Sequence, residues 1–224
     1  MVLFDGPDSG RMVALPLQCE AFYCADFLSE QVAAALWAEI VEGFDVSNRR
    51  VRMADGTEYF NETGAYLFCD PELTGFDCFH EVWGGRSPWS PSLSRLRDKL
   101  TELLGVRFRV ARSVFYHDGS EGIGFHSDLP AYGDTSLIAS LSLGAERRIV
   151  FRHKASLSTF SLSLSPGSLL IMGEGCQELY EHAIPHDTSC CSPRLNLTFR
   201  RYGFDGRSEP APSSATEPMA SGSG

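Results

Sequence analysis

Seven positions in the 224-residue chain carry side chains whose types and spacing fit a metal centre with an anion site beside it. His126 and Asp128, in GFHSD, stand two apart. On an extended segment residues i and i+2 project from one face, so an imidazole and a carboxylate there can ligate one ion. His182, in LYEHAIPH, supplies a second imidazole. Two histidines and one carboxylate are the ligand set of non-haem Fe(II) oxygenases, which leaves three coordination positions open. The plain alternative is a chance His-x-Asp triplet and a histidine packed beside Tyr180 and Ile184. In Arg194-Leu-Asn196-Leu-Thr198-Phe-Arg200 the polar residues share one strand face and the apolar ones the other. Inside a double sheet that polar face lines a cavity, and its two guanidiniums need anionic partners. A dicarboxylic acid supplies them through paired hydrogen bonds. On a surface strand the same alternation is merely solvated. Tyr116, just ahead of the turn His117-Asp118-Gly119-Ser120, either reaches the same cavity with its phenol or packs in the core.

These residues need elements to hold them. Val32, Leu36, Ile40 and Phe44 recur every four residues and predict a helix over 29–43, with Ser29 as a possible N-cap. In SPSLSRLRDKLTELLG, Ser90 caps, Pro91 takes the first helical position, and Leu93, Leu96, Leu100 and Leu103 form one face before Gly105. Residues 45–89 show only weak strand patterns. From Val106 onward the period changes to two. Strands are expected from Val106, over 136–143, 148–153, 159–165 and 168–172, and in RLNLTFRRY. Helices followed by short strands at regular spacing predict an α+β protein with a jelly-roll double sheet. Residues 205–224, with three prolines and almost no apolar side chain larger than alanine, are expected to be disordered.

Composition narrows the partners. The net charge of −10 is concentrated in residues 1–109, which hold 17 acidic against 10 basic side chains. Such a surface disfavours gripping a long duplex by its phosphates, but not a pocket that reads one base or a short strand. No apolar run approaches the ~20 residues of a membrane span, and the N-terminus does not read as a signal peptide. Seven cysteines without a C-x-x-C pair point to a reducing compartment, the cytoplasm or nucleus.

The run YHDGSEGIGFHSD, SLIASLSLGAERRIVFRHK, PGSLLIM, LYEHAIPHD and PRLNLTFR resembles the AlkB family of Fe(II)- and 2-oxoglutarate-dependent dioxygenases. The match extends from about Ser87 to Tyr202, and the spacing from His182 to Arg194 and Arg200 is that of the animal nucleic-acid-demethylating members. The resemblance implies a double-stranded β-helix core over 87–204. Residues 1–86 would supply a leading helix and a substrate-recognition lid. It implies that His126, Asp128 and His182 hold iron. Arg194 would bind the distal carboxylate of 2-oxoglutarate with Tyr116 and Asn196, and Arg200 would lie near the carboxylate at the metal. The implied chemistry consumes O₂ and 2-oxoglutarate and yields succinate and CO₂. It hydroxylates a methyl group on nitrogen, and the hemiaminal releases formaldehyde.

Two positions depart from the family pattern. Val114 stands where many members have an asparagine, removing a hydrogen bond near the cosubstrate worth ~1 kcal/mol. Pro130 stands where base demethylases carry an acid that accepts from the exocyclic amine of the base. Asp134 either substitutes for that acid or serves a turn. Arg147, Arg148, Arg152 and Lys154 are the candidates for a local basic strip. Tyr66, Phe68, Phe79 and Trp83 either stack on a base or belong to the core.

The expected function is demethylation of 1-methyladenine or 3-methylcytosine in single-stranded or locally opened DNA or RNA. The alternative keeps the chemistry and acts on a protein side chain or small molecule. A non-enzymatic β-sandwich with a decayed metal site, or a zinc hydrolase, leaves the intact ligands or the two arginines without a task. No membrane and no protein partner is read from the sequence.

Overall fold

The computed structural model describes residues 11–75, 78–128, 130–131 and 133–203. The tail expected over 205–224 lies outside the described residues. In chain order the elements begin with strands β1 (Val13–Ala14) and β2 (Ala21–Cys24), helix α1 (Glu30–Gly43), then strands β3 (Arg50–Arg52), β4 (Glu58–Phe60) and β5 (Gly64–Cys69). Strand β6 (Gly85–Pro88) precedes helix α2 (Pro91–Leu104), followed by β7 (Val110–Tyr116), β8 (Ile123–His126), β9 (Ile138–Gly144), β10 (Arg147–His153), β11 (Thr159–Leu164) and β12 (Leu169–Met172). The short helix α3 (Cys176–Leu179) leads into β13 (Tyr180–Ile184), and β14 (Arg194–Arg200) closes the fold.

Among the described residues these strands form an eight-stranded sheet in the order β1-β2-β12-β9-β14-β7-β5-β6, a four-stranded sheet β11-β10-β13-β8, and the hairpin β3-β4. The larger sheet is covered on both faces. One face receives Leu36 and Ile40 of α1 and Leu93, Leu96 and Leu100 of α2 against Leu141, Leu143, Leu195, Leu197 and Phe199. The other packs Tyr116, Ile138, Leu170 and Met172 against Ile149, Phe151, Leu164, Tyr180 and Ile184 of the smaller sheet. The double sheet anticipated from the period-two runs is therefore present, and the inward face of β14 lies between its layers.

Both helices begin where their serines cap them: Ser29 Oγ accepts from the Val32 N–H, and Ser90 Oγ from the Leu93 N–H. Gly105 ends α2 at φ 67°, the left-handed conformation glycine adopts without cost. Asp70, buried at the end of β5, ties this end of the fold together. It accepts from Trp89 Nε1 at 2.8 Å and pairs with Arg97, Arg107 and Arg109.

Three expectations are corrected. Leu103 is 52% exposed, because Leu104, one turn beyond Leu100, takes the contact with the core. The strand expected from Val106 begins at Val110. Strand β5, inside the stretch that read as weak, is paired with β7 and β6. Buried on both faces, GAYLFC carries a continuous apolar run rather than an alternation.

Candidate active site

His126 ends β8, and His182 lies opposite it on β13. Their ring centroids are 4.5 Å apart. Asp128 lies just past the end of β8, so a loop rather than the strand aims its carboxylate. Its backbone N–H donates to the Gln177 side-chain oxygen at 2.8 Å, and the Ser127 hydroxyl donates to the Tyr180 carbonyl at 3.0 Å. One ligand atom from each of His126, Asp128 and His182 lies within 4.8 Å of the others, and His182 Nε2 is 3.9 Å from Asp128 Oδ2.

Protonation favours an ion at this point. His126 Nδ1 is 2.9 Å from the Gly124 carbonyl. A carbonyl only accepts, so Nδ1 donates to it and Nε2 is the ring nitrogen left to meet an ion. Burial pushes the pKa of His182 down to about 4, although Asp128 acts against it, so its imidazole is neutral at pH 7. Burial opposes ionisation of Asp128, but Arg200 outweighs it and holds the carboxyl below its ordinary range. Arg200 donates to Asp128 Oδ1, which fixes the carboxylate while Oδ2 faces His182.

The register of β14 explains the rest of the cavity floor. Arg194 stands opposite Tyr116, Asn196 opposite Val114 and Thr198 opposite Arg112. Paired residues share a face, so these rows run side by side along the cavity. Arg194 is 1% exposed. Its Nη2 donates to Ser142 Oγ at 3.0 Å and Asn196 Oδ1 at 3.1 Å, and its guanidinium carbon lies 5.2 Å from the centroid of the Tyr116 ring. Its Nε and Nη1 have no hydrogen-bond partner among the described residues. Burial lowers the pKa of this guanidinium, with Arg147 nearby adding to the effect. A buried cation with two idle donors is costly unless an anion completes it. The Asn196 side chain accepts from Arg194 and Ser140 and donates to Thr198, so it braces Arg194.

The cavity has a volume of about 370 Å³, within the range of about 300–1,000 Å³ usual for small-molecule sites. His126, Asp128, His182, Tyr116, Arg194, Asn196 and Arg200 all line it. A larger groove of about 670 Å³ between residues 50–54 and 84–86 includes none of these side chains, so the chemistry points to the smaller one.

Other expected residues sit elsewhere. Asp134 accepts from the backbone and hydroxyl of Ser136 and pairs with Arg201 at 2.5 Å. It is not among the cavity-lining residues. The expected basic strip does not form as a unit. Arg147 is 1% exposed and donates to the carbonyls of Asp118, Glu121 and Pro185. Arg152 pairs with Glu181, and Lys154 donates to the Gln177 carbonyl. Of the four candidate aromatics, Phe68 and Phe79 are buried and Tyr66 packs on Phe44 and Phe68. Trp83 lines the cavity. Arg112, which also lines it, was legible as the next inward position of the period-two run that carries Val114 and Tyr116. Gln177 had no local sequence signal.

The model of the 2OG-Fe(II) oxygenase superfamily matches residues 20–200. The chain belongs to that superfamily. Over 123 residues the chain is similar, at 37% identity, to the DNA oxidative demethylase ALKBH2 of Mus musculus, covering 51% of this chain and 52% of that one. Over 141 residues it is 33% identical to the alpha-ketoglutarate-dependent dioxygenase alkB homolog 3 of Rattus norvegicus, covering 58% and 48%. The chain thus spans about half the length of the curated relatives it matches. A solved structure titled "The structure of OsALKBH1" superposes with a TM-score of 0.52 over 84% of this chain and 100% of that chain. At 14% identity it speaks for the fold. The AlkB resemblance read from the motifs agrees with these matches. The superfamily's metal and cosubstrate fit the residues present: two imidazoles and a carboxylate meet at one point, and the idle donors of Arg194 await an anion in the same cavity. Among the described residues no helix is long and apolar enough to cross a membrane.

Proposed function

We propose that this oxygenase demethylates N-alkylated nucleobases in single-stranded or locally opened nucleic acid. The supporting observation is that the His126–Asp128–His182 cluster and the incompletely paired Arg194 line one cavity, in a chain similar to proteins named for DNA oxidative demethylation and alpha-ketoglutarate-dependent oxygenation.

In this reading His126, Asp128 and His182 hold Fe(II). Arg194 takes the distal carboxylate of 2-oxoglutarate through Nε and Nη1, with Tyr116 against its guanidinium and Asn196 fixing its rotamer. Arg200 keeps the Asp128 carboxylate ionised and oriented. Bound iron and 2-oxoglutarate supply the oxidising power. The protein positions the methyl group and excludes water. The balance is one methylated base, one O₂ and one 2-oxoglutarate giving the unmethylated base, still in its strand, with formaldehyde, succinate and CO₂. Trp83, at the wall of the cavity, offers a flat face for a base. Residues 87–204 supply the catalytic core, and from the stretch before it Trp83 reaches the cavity.

Two measurements test this. Anaerobic Fe(II) and 2-oxoglutarate should produce a metal-to-ligand charge-transfer band that His126→Ala abolishes. Methylated single-stranded oligonucleotides should then release formaldehyde and succinate in equal amounts. A band identical in wild type and variant refutes the ligand assignment. Succinate formed without formaldehyde from any methylated oligonucleotide refutes the substrate.

A further inference from the structure

Beside the pocket of Arg194 lies a second buried cation, which the proposed chemistry leaves without a task. Arg147 begins β10 in the smaller sheet and is 1% exposed, yet it is not among the cavity-lining residues. Its guanidinium carbon lies 5.5 Å from the centroid of the Tyr116 ring. That of Arg194, carried by the larger sheet, lies 5.2 Å from the same centroid. One aromatic ring is therefore shared by two guanidiniums, one that lines the cavity and one that does not.

The fold gives this second charge hydrogen bonds but, among the described residues, no paired carboxylate. Arg147 donates to the carbonyls of Asp118, Glu121 and Pro185, all neutral acceptors, and its Nε makes no hydrogen bond among the described residues. The carboxyls of Asp118 and Asp187 are held low first by Ser120 and Ser189 and to a lesser extent by Arg147. Both accept from those serines rather than from the guanidinium. Tyr116 supplies no negative charge either, because burial holds its phenol protonated although both guanidiniums act against this. Away from water a charge is weakly screened and its field reaches past one ring. Two cations beside Tyr116 thus leave a surplus of positive charge that a ligand carboxylate in the Arg194 pocket would offset.

We propose that Arg147 is a positioning residue for the cosubstrate: its buried charge, acting beside Tyr116 and without contact, makes the Arg194 pocket favour 2-oxo acids whose far end is a carboxylate. This rests on the reading in which Arg194 takes the distal carboxylate of 2-oxoglutarate, and it adds a second cation to that selection. A purely structural role would also use the three carbonyls, which pin the 118–121 turn and Pro185 to β10. The two roles make different demands on the side chain. Pinning needs the hydrogen bonds, whereas selection needs the charge.

Anaerobic titrations of the Fe(II)-loaded protein test this, following the charge-transfer band as 2-oxoglutarate or 2-oxopentanoate is added. The two ligands share the chelating end, but the second ends in a methyl group. Arg147→Gln and Arg147→Met remove the charge, Arg147→Lys keeps it and loses the planar fork, and thermal melts establish that each variant folds. Either neutral variant should raise the half-saturating concentration of 2-oxoglutarate roughly 5- to 30-fold, the scale of unit charges a ring apart at an effective dielectric constant of about 20. Its titration by 2-oxopentanoate should not change. Arg147→Lys should stay closer to wild type with 2-oxoglutarate although it also melts lower, and in turnover the neutral variants should show a raised KM for 2-oxoglutarate with kcat kept. Equal weakening of both ligands, unaltered 2-oxoglutarate affinity, or a lysine variant no better than the neutral ones would reduce Arg147 to a pin for the turn and overturn the inference. Failure of both neutral variants to fold would overturn it too. If 2-oxopentanoate forms no band, the comparison of lysine with the neutral variants decides. Wild type that takes both ligands equally well would instead refute the assignment of Arg194 to the distal carboxylate, a failure read without any variant.

Discussion

Replacing Arg194 with methionine should strengthen the ligand-free protein while removing its affinity for 2-oxoglutarate. The side chain is 1% exposed and two of its nitrogens lack partners among the described residues, so the apo fold carries a partly unsolvated charge. Exchanging buried ionic groups for apolar ones of similar volume stabilises by about 1–4 kcal/mol. Arg194 already donates to Ser142 and Asn196, which places the gain near the lower end, about 1–2 kcal/mol. For a domain of this size that is roughly 2–8 °C in Tm. The opposite sign applies to the cosubstrate: losing one partner of a buried charge-assisted pair costs about 2–5 kcal/mol, a roughly 30- to 5,000-fold rise in Kd. Thermal melts of wild type and Arg194→Met, with redox-silent Mn(II) and with or without 2-oxoglutarate, read both effects. At 100 times its Kd the cosubstrate should stabilise wild type by about 2.7 kcal/mol and the variant hardly at all. A variant less stable than wild type when ligand-free, yet still raised by 2-oxoglutarate, would refute both the idle-donor argument and the assignment of this pocket.

Other consequences follow from the same geometry. The folded pKa of His182 is pushed down to about 4 from 6.5. Between these values the unfolded chain binds a proton that the folded one does not, so apo stability should fall by roughly 3 kcal/mol as pH drops from 6.5 to 4. His182→Leu should flatten that slope in urea midpoints, and an unchanged slope would place its origin elsewhere. Gln177→Leu removes the acceptor for the Asp128 N–H and should weaken Mn(II) binding about 10- to 100-fold in an anaerobic titration; unaltered affinity would leave Gln177 a packing residue. Asp70→Asn discharges the carboxylate shared by Arg97, Arg107 and Arg109. Because Arg107 is mostly exposed, the loss should be about 1–3 kcal/mol, read as a lower Tm with the Fe(II)/2-oxoglutarate band preserved; a changed band would tie this network to the cavity.

Much of the molecule was legible before any coordinates because local rules leave a periodic trace. The capping serines before both helices, Gly105 after the second, and the alternation of Phe160, Leu162 and Leu164 with serines each reflect a rule acting within a few residues. The period of two also put Arg194, Asn196, Thr198 and Arg200 on one face, but it could not say whether that face met water or protein. Coverage by the smaller sheet decided it. Strand β5 left no alternation because both of its faces are buried. Asp128 was expected on a strand and is instead aimed by a loop whose N–H reaches Gln177, 49 residues away in the chain. The same distance effect separates Arg147 from Arg148: neighbours in sequence, they point to opposite sides of β10, and Arg147 is buried under three carbonyls. Residue types and spacing by themselves determined which side chains could perform the chemistry and which strands would carry them. Only the tertiary structure decided which cations are buried without full partners and which acids are already spent, because burial and pairing depend on what other segments of the chain bring to the same volume.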